Sequence, residues 1–299
     1  MKDVLQIDEH RIEHGSLSAI EAERYAAHVS NTAYQALLLE VSATPKPGLV
    51  DAAGSGAHSD MDIRTFENSA KALLPYFRMF TRFGIEHAEE DPAGFLKRIR
   101  GIGIAAEKAM LEATGGVNTH KGAIFSMGIV TTAYGYCCMT GADLRTVIKA
   151  IGEPAMDDFR HLNKETAVTA GQQLYLQYGI AGARGEAADG YETVFVHALP
   201  KMRDLIKRGY STNDAGLLSL IAIMAQLIDT NIIHRGGYEA GVEIRERMEA
   251  LNAMPAEDTD YISILEAMDR EFIARHLSPG GSADLLAMTY FIMMMEEEV

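Results

Sequence analysis

The chain has few residues of the kinds that form covalent or metal cross-links. Its 299 residues include two cysteines and no tryptophan. Cys137 and Cys138 are adjacent and cannot join distant segments by a disulfide, a usage that fits a reducing compartment. The sequence contains no CxxC, HExxH or GxSxG pattern, which excludes three common metal and hydrolase classes. We expect no redox cofactor and a cytoplasmic location.

Positive charge is also scarce, with 27 Lys and Arg residues against 42 Asp and Glu residues. Nucleic acids and anionic membranes need an excess of cationic side chains on one face, so we expect neither as a partner. A phosphorylated small molecule stays open, because a few cations and helix N-termini can hold it inside an acidic protein. The N-terminal string MKDVLQIDEHRIEHG lacks the apolar run of a signal peptide.

One apolar stretch, residues 122–142, carries no charge over 21 positions. Its length permits a membrane span. Its serine, threonines, tyrosines and glycines weaken that interpretation and favour a buried core helix.

Apolar residues recur at helical spacing through most of the chain, and the alternation typical of strands is hard to find. The sequence therefore predicts an all-α fold, with no significant β-sheet. We expect a single globular domain of roughly ten helices over residues 1–299, with residues 1–16 as a loosely ordered N-terminal extension.

Local signals predict several helix ends. A capping box at Ser18 starts a helix that ends near Ser42, and Asp62 starts a second that runs to Gly84 and is bent or split at Pro75. Further predicted features are a helix over residues 92–113, capping boxes at 140–143 and 211–214, a cap at Ser282 for the last helix, and a long loop over residues 182–194.

Four polar segments interrupt the helical pattern, and the first is TPKPGLVDAAGSGAHSDMD at residues 44–62. Its prolines and glycines impose an irregular path on which lie five ionisable groups, Lys46, Asp51, His58, Asp60 and Asp62. The alternate spacing of the last three can aim them one way, as a hard-cation site or as an acid/base group. The alternative is a solvated loop in which Asp62 caps the next helix.

The other three segments are glycine turns next to helices. Residues 115–125 can point backbone N–H groups at an anion beside Lys121, although His120 can be a plain helix-start residue. Asp229 follows a very apolar run and needs a partner if buried, either Arg235 or a cation. Residues 278–287 either bind an anion or only cap a helix.

Together these segments resemble one family, the triphosphoribosyl-dephospho-CoA synthases, which make the prosthetic-group precursor of citrate lyase or malonate decarboxylase. The strings that carry the resemblance are EVSATPKPGLVD, GAHSDMD, GVNTHKGAIF, YGIAGARGEAADGY, DTNIIHRGG and LSPGGSADLLA. The resemblance implies an all-α transferase that joins ATP to 3′-dephospho-CoA, releases adenine, requires Mg²⁺ and passes its product to an acyl-carrier-protein transferase.

The resemblance also implies roles for the residues of these segments. The catalytic candidates are Asp51, His58, Asp60, Glu186 and Asp229, with Glu186 as the carboxylate for the ribosyl cation. The magnesium candidates are Asp60, Asp62 and Asp229. The candidates for binding ATP and dephospho-CoA are Lys46, Asn118, His120, Lys121, Arg184, Asn231, Arg235, Gly280, Gly281 and Ser282.

One position departs from the family pattern, since Ala52 stands where many relatives carry an arginine. The phosphate contact of that arginine is either lost or supplied by Arg64. Two other functions stay open: a magnesium-dependent helical nucleotide phosphohydrolase and a non-catalytic helical binding scaffold. The sequence does not select the carrier that the product serves. Its apolar, methionine-rich helices are compatible with a homo-oligomer.

Overall fold

A computed structural model describes residues 17–297 apart from 161, 164, 166 and 168, so the predicted extension at residues 1–16 lies outside the described residues. The α-helices are α1 (Ala19–Ser42), α2 (Ile63–Glu86), α3 (Phe95–Ala113), α4 (Lys121–Thr140), α5 (Leu144–Gly152), α6 (Ala170–Tyr178), α7 (Ala183–Ala188), α8 (Leu199–Lys207), α9 (Thr212–Gln226), α10 (Thr230–Gly236), α11 (Tyr238–Asn252), α12 (Tyr261–Arg275) and α13 (Gly280–Glu297). Pro92–Gly94 and Glu153–Phe159 are 3₁₀-helices, and Thr193–Ala198 is a π-helix.

The all-α prediction is confirmed, and the described residues contain no strand. Ser18 closes the predicted capping box with Glu21 and starts α1. Asp62 caps α2, which continues through Pro75 as one helix to Glu86. Ser211 caps α9 through the backbone N–H of Asp214.

Three local predictions were wrong. Residues 182–194 are not a long loop, because Gly182 turns the chain at φ 56° and the alanine-rich stretch after it forms α7. Thr140 ends α4 instead of capping α5, since Gly141 takes the left-handed conformation of a helix C-terminus. The last helix begins at Gly280, so Ser282 lies within its first turn.

The uncharged stretch forms α4, which is buried among other helices of the core. It packs against α1, α2, α3, α5 and α13. By length and composition α4 is the one single helix in the described ranges that can cross a membrane, and 61% of its most apolar window is buried inside the protein. The prediction of a core helix therefore agrees with its packing.

The helix ends of this bundle bring the polar segments together. The helix α13 packs against α1, α4 and α9, while α9 and α10 meet at an angle of 71° across a short break. This bend places Asp229 at the N-cap of α10. The N-termini of α4, α10 and α13 then face the C-terminal end of α1 and the loop over residues 44–62 around a single cavity.

Candidate active site

The cavity between these helix ends has a volume of about 350 Å³. All four polar segments contribute to its wall. Its charged and polar lining residues are Glu40, His58, Asp60, Asn118, Thr119, His120, Lys121, Asn231, His234, Arg235, Ser278 and Asp284. We call Glu40, His120 and Asp284 the cavity floor, because protein encloses them, and His58, Asp60, Lys121 and Arg235 the cavity mouth.

Asp51 holds the loop over residues 44–62 in shape. One of its carboxylate oxygens accepts hydrogen bonds from the Thr44 hydroxyl at 2.8 Å and the Lys46 backbone N–H at 3.0 Å. The other accepts from the backbone N–H groups of Ala53 and Gly54. Asp51 is outside the cavity lining, and its oxygens are occupied by the loop that it folds.

Lys46 lies behind the cavity floor with only 1% of its surface exposed. Its ammonium donates to the Glu40 carboxylate and, at 2.6 Å, to the Glu40 backbone carbonyl. Burial raises the pKa of Glu40, and the Lys46 charge opposes that rise. Lys46 was predicted to bind phosphate, but its ammonium is hydrogen-bonded to Glu40 at the end of α1.

His120 immediately precedes α4 and is 3% exposed. Its Nδ1 lies 2.7 Å from the Ser69 hydroxyl, which accepts a hydrogen bond from Thr119. Ser69 can therefore donate its own proton to Nδ1, which leaves the proton of the ring on Nε2. Burial and the Lys46 charge lower the pKa of His120 to about 3, so the ring is neutral. Nε2 is buried, and no described residue forms a hydrogen bond with it.

His58 and Arg235 are joined by a hydrogen bond at the cavity mouth. The Arg235 guanidinium donates to the carbonyls of Ala57 and His276 and to His58 Nδ1, each at 3.2 Å. Because Nδ1 accepts from Arg235, Nε2 carries the proton and donates to the Ser278 hydroxyl at 2.9 Å. Burial and the Arg235 charge lower the pKa of His58.

The remaining charges of the cavity mouth are exposed. The Asp60 side chain is 62% exposed, and one of its oxygens lies 4.0 Å from His58 Nδ1. Lys121 is 60% exposed and pairs with Glu107 at 2.6 Å. The Asn118 side chain accepts from the Lys121 backbone N–H at 3.2 Å and so helps to start α4.

Asp229 joins two helix N-termini instead of pairing with Arg235. One oxygen accepts from the backbone N–H of Asn231 at 2.8 Å, and the other accepts from the backbone N–H and hydroxyl of Ser282 at 2.7 and 2.9 Å. Of the two partners that the sequence left open, Arg235 does not pair with Asp229, because these donors already satisfy a carboxylate that is 2% exposed. Gly281 also lies against this carboxylate, since a Cβ there would come within 3.2 Å of it.

Asp284 lies in the first turns of α13 and is enclosed by protein except where it lines the cavity. Its carboxylate rests against the backbone of Gly122, where an added Cβ would lie only 1.9 Å from Oδ2. Burial and the nearby Glu40 and Asp229 carboxylates raise the pKa of Asp284 well above its ordinary value, and the Ala123 backbone N–H opposes the rise.

Three predicted site residues lie away from the cavity. The carboxylate of Glu186, a residue of α7, accepts from the Thr193 hydroxyl at 2.8 Å, and its buried second oxygen has no partner among the described residues. Arg184 forms a partly exposed ion pair with Asp158 at 3.1 Å. Asp62 uses one oxygen to cap α2 through Thr65. None of the three lines the cavity.

The three carboxylates predicted as magnesium ligands do not converge. Asp62 caps a helix, Asp229 is saturated by N–H and O–H donors, and only Asp60 lines the cavity. Within the described ranges no three His, Cys, Asp or Glu side chains form a group that can hold a metal ion. The residues present therefore do not fit a resident magnesium site.

Glu40 and Asp284 are not among the site residues predicted from the sequence, although both lie in strings that resemble the family. Both are isolated carboxylates on helix faces that are otherwise uncharged. An acidic residue on the buried face of a helix carries a desolvation cost and therefore indicates function. The sequence-based prediction rested on the glycine-rich turns, and Glu40 and Asp284 lie on helices.

An all-α scaffold whose cavity gathers helix N-termini, cations and buried carboxylates defines a helical protein equipped for an anionic ligand. Residues 26–299 match the family described as ATP:dephospho-CoA triphosphoribosyl transferase, and the chain belongs to this family.

Similar proteins come from several bacteria. The chain is 44% identical over 276 residues to the 2-(5''-triphosphoribosyl)-3'-dephosphocoenzyme-A synthase of Pectobacterium atrosepticum, an alignment that covers 90% of each chain. It is 39% identical to a probable synthase of the same name from Streptococcus equi subsp. zooepidemicus, over 91% of this chain and 97% of the relative. No solved structure matches it significantly.

Proposed function

We propose that this chain transfers the triphosphoribosyl group of ATP to 3′-dephospho-CoA and releases adenine. Its relatives are named as synthases of the product of that reaction. The observation that carries the proposal is the cavity, because the segments around residues 44–62, 115–125, 229–237 and 278–287 all contribute to one wall. Segments far apart in the chain meet where a single ligand can touch all of them.

The chemistry requires attack by a ribose hydroxyl on C1 of the ATP ribose. The C1–N9 bond breaks, the C1–O bond forms, and the ribose ring gains positive charge between these events. A carboxylate base at the cavity mouth can take the hydroxyl proton, and Asp60 lines the cavity there with most of its side chain exposed. His58 cannot take this role in its present state, because its two nitrogens are engaged with Arg235 and Ser278.

The phosphates need cations and N–H donors, which the same cavity supplies. Arg235 and Lys121 carry positive charge at the cavity mouth. The N-termini of α4 and α13 line the same wall at Lys121 and Gly280, so the positive ends of both helix dipoles lie beside it. Asn118 and Asn231 also line the wall, and their amides can orient a bound nucleotide.

We propose that magnesium reaches the site as the complex with the ATP triphosphate, because the described residues do not form a carboxylate cage of their own. We further propose that residues 1–299 act as one cytoplasmic catalytic domain, alone or as a homo-oligomer. Its product then passes to an acyl-carrier-protein transferase that serves citrate lyase or malonate decarboxylase.

The direct test incubates the purified protein with ATP, Mg²⁺ and 3′-dephospho-CoA and identifies the products by mass. We expect equal amounts of free adenine and the joined nucleotide, and neither without dephospho-CoA. Phosphate or pyrophosphate without adenine would instead indicate the phosphohydrolase, and no nucleotide binding would indicate the scaffold. An Arg235→Ala variant should raise the KM for the nucleotides by about tenfold or more, since it removes a charge-assisted contact.

A further inference from the structure

Departing adenine needs a proton, and the cavity floor contains three candidate proton donors. A purine anion is a poor leaving group, so a proton donor near a ring nitrogen lowers the barrier to breaking the C1–N9 bond. The candidates are Glu40, His120 and Asp284, which line the enclosed part of the cavity.

Two of these groups are unsuited to give a proton away. Glu40 faces the Lys46 ammonium, which donates to its carboxylate and favours its ionised form. His120 is neutral, because burial and the Lys46 charge hold its pKa at about 3. Its Nε2–H can donate a hydrogen bond to a purine nitrogen, but a neutral imidazole does not release that proton at physiological pH.

Asp284 differs from both in its surroundings. Among the described residues it forms no ion pair, and the charged groups near it from the packed elements are carboxylates, Glu40 at the end of α1 and Asp229 at the start of α10. The buried hydroxyl of Tyr191 also lies near Asp284, with Ser126 beside it. Like charges held close together in a buried site cannot all ionise, so one member of the group keeps a proton.

The position of Asp284 also suits contact with a ligand. The Gly122 backbone leaves no room for a side chain, so the carboxyl of Asp284 sits directly against the start of α4. It shares the cavity wall with Nε2 of His120, a buried polar atom that has no hydrogen-bond partner among the described residues. A buried donor left unsatisfied in a cavity marks a place where a ligand completes the hydrogen bonding.

We infer that Asp284 is the catalytic acid of this site, whose carboxyl donates its proton to a ring nitrogen of the departing adenine while the His120 Nε2–H hydrogen-bonds the same base. The inference rests on the proposed transfer reaction. The C1–N9 electron pair leaves with adenine, which becomes neutral on taking the proton. The hydroxyl proton goes to the base at the cavity mouth and then to solvent, and Asp284 regains a proton from solvent after product release.

The test compares ATP with its 7-methyl analogue, whose cationic base leaves as neutral 7-methyladenine and needs no proton. In the unmodified protein, kcat with ATP should fall as pH rises, because Asp284 loses its proton, and this fall should be absent with the analogue. Asp284→Asn keeps the size of the side chain and cannot donate such a proton. It should lower kcat with ATP by about a hundredfold or more, with turnover of the analogue within about threefold of the unmodified protein.

Asp60→Asn is the matched control. It removes the proposed base, which both substrates need, so its loss of activity should be similar for ATP and for the 7-methyl analogue. Equal loss with both substrates in Asp284→Asn would overturn the acid role and leave a positioning role, and full activity with ATP would remove Asp284 from the chemistry.

The pH dependence of kcat in the unmodified protein tests the inference even if Asp284→Asn does not fold. An equal fall in kcat with pH for ATP and for the analogue overturns the inference. If the unmodified protein turns over ATP without releasing adenine, the proposed transfer itself fails, an outcome distinct from any result with the variants.

Discussion

The mouth and the floor of the cavity hold ionisable side chains under opposite conditions. At the mouth, Asp60 and Lys121 are 62% and 60% exposed, and water screens them. Near the floor, Lys46 is 1% exposed, and its charge has a large effect on its neighbours Glu40 and His120. The mouth is suited to attract and release phosphates, whereas the floor is suited to shift the pKa values of its side chains. Changes to the floor should therefore alter folding and chemistry together.

The largest expected effect comes from breaking the buried ion pair. Lys46→Met leaves the Glu40 carboxyl buried without its cation, which should cost about 3 to 5 kcal/mol in the free energy of unfolding. Urea denaturation measures this cost. Adding Glu40→Gln should recover part of the loss, since the uncompensated charge is then removed.

The control for that variant lies at the cavity mouth. Lys121→Met also removes a lysine from an ion pair, with Glu107, but both partners are partly exposed. Its cost should be below about 1 kcal/mol, which is the usual range for a surface pair. Equal costs for the two lysines would contradict the distinction between mouth and floor.

The same distinction explains which features the sequence predicted. The helices were predictable because apolar periodicity and capping residues such as Ser18 and Asp62 act locally. The segments of the cavity mouth were predictable because glycine and proline mark irregular backbone. The floor depends on contacts between residues far apart in the chain, such as Gly122 with Asp284, and no local pattern reports them.

The roles of several individual polar residues could not be predicted from the sequence either. Asp60 and Asp62 are two positions apart, yet one lines the cavity and the other caps α2. The sequence left Arg235 or a cation open as the partner of Asp229, but the starts of α10 and α13 supply its donors. Arg184 and Glu186 belong to a string that resembles the family, and they lie outside the cavity. Distance along the chain does not say which of several polar groups faces a ligand.

The neighbouring aspartates at the mouth provide the next test. Asp60→Ala should lower kcat/KM for adenine release by about a hundredfold, because it removes the proposed base, while the helical circular dichroism is unchanged. Asp62→Ala should leave kcat/KM near that of the unmodified protein and lower the thermal stability, because α2 loses its N-cap. If Asp62→Ala abolished turnover with its stability intact, Asp62 would belong to the active site after all.

A smaller effect is expected where a buried carboxylate is already satisfied. Asp229→Ala leaves the backbone N–H groups of Asn231 and Ser282 without an acceptor, which should cost about 2 kcal/mol in the free energy of unfolding. Activity should fall as well, because the starts of α10 and α13 form the cavity wall. Asp229→Asn retains one acceptor oxygen and should cost less. An unchanged unfolding free energy in Asp229→Ala would mean that water replaces the carboxylate.

A gradual effect concerns the pH dependence of stability at Asp284. Its folded-state pKa is raised by burial and by the carboxylates of Glu40 and Asp229, so the folded protein binds a proton that the unfolded chain has released. The unfolded carboxyl ionises near pH ~4, and stability should fall as pH rises from there to the folded-state pKa, by up to about 1.4 kcal/mol per pH unit.

The Asp284→Asn variant has no such proton to lose, so its stability should not show that fall with rising pH. Its melting temperature should therefore exceed that of the unmodified protein by a margin that widens as pH rises above about 4, the ordinary pKa of the side chain. An advantage that stays constant with pH would show that Asp284 ionises as readily in the folded protein as in the unfolded chain. A widening advantage combined with lost adenine release would show that the floor gives up stability to keep a proton available for chemistry.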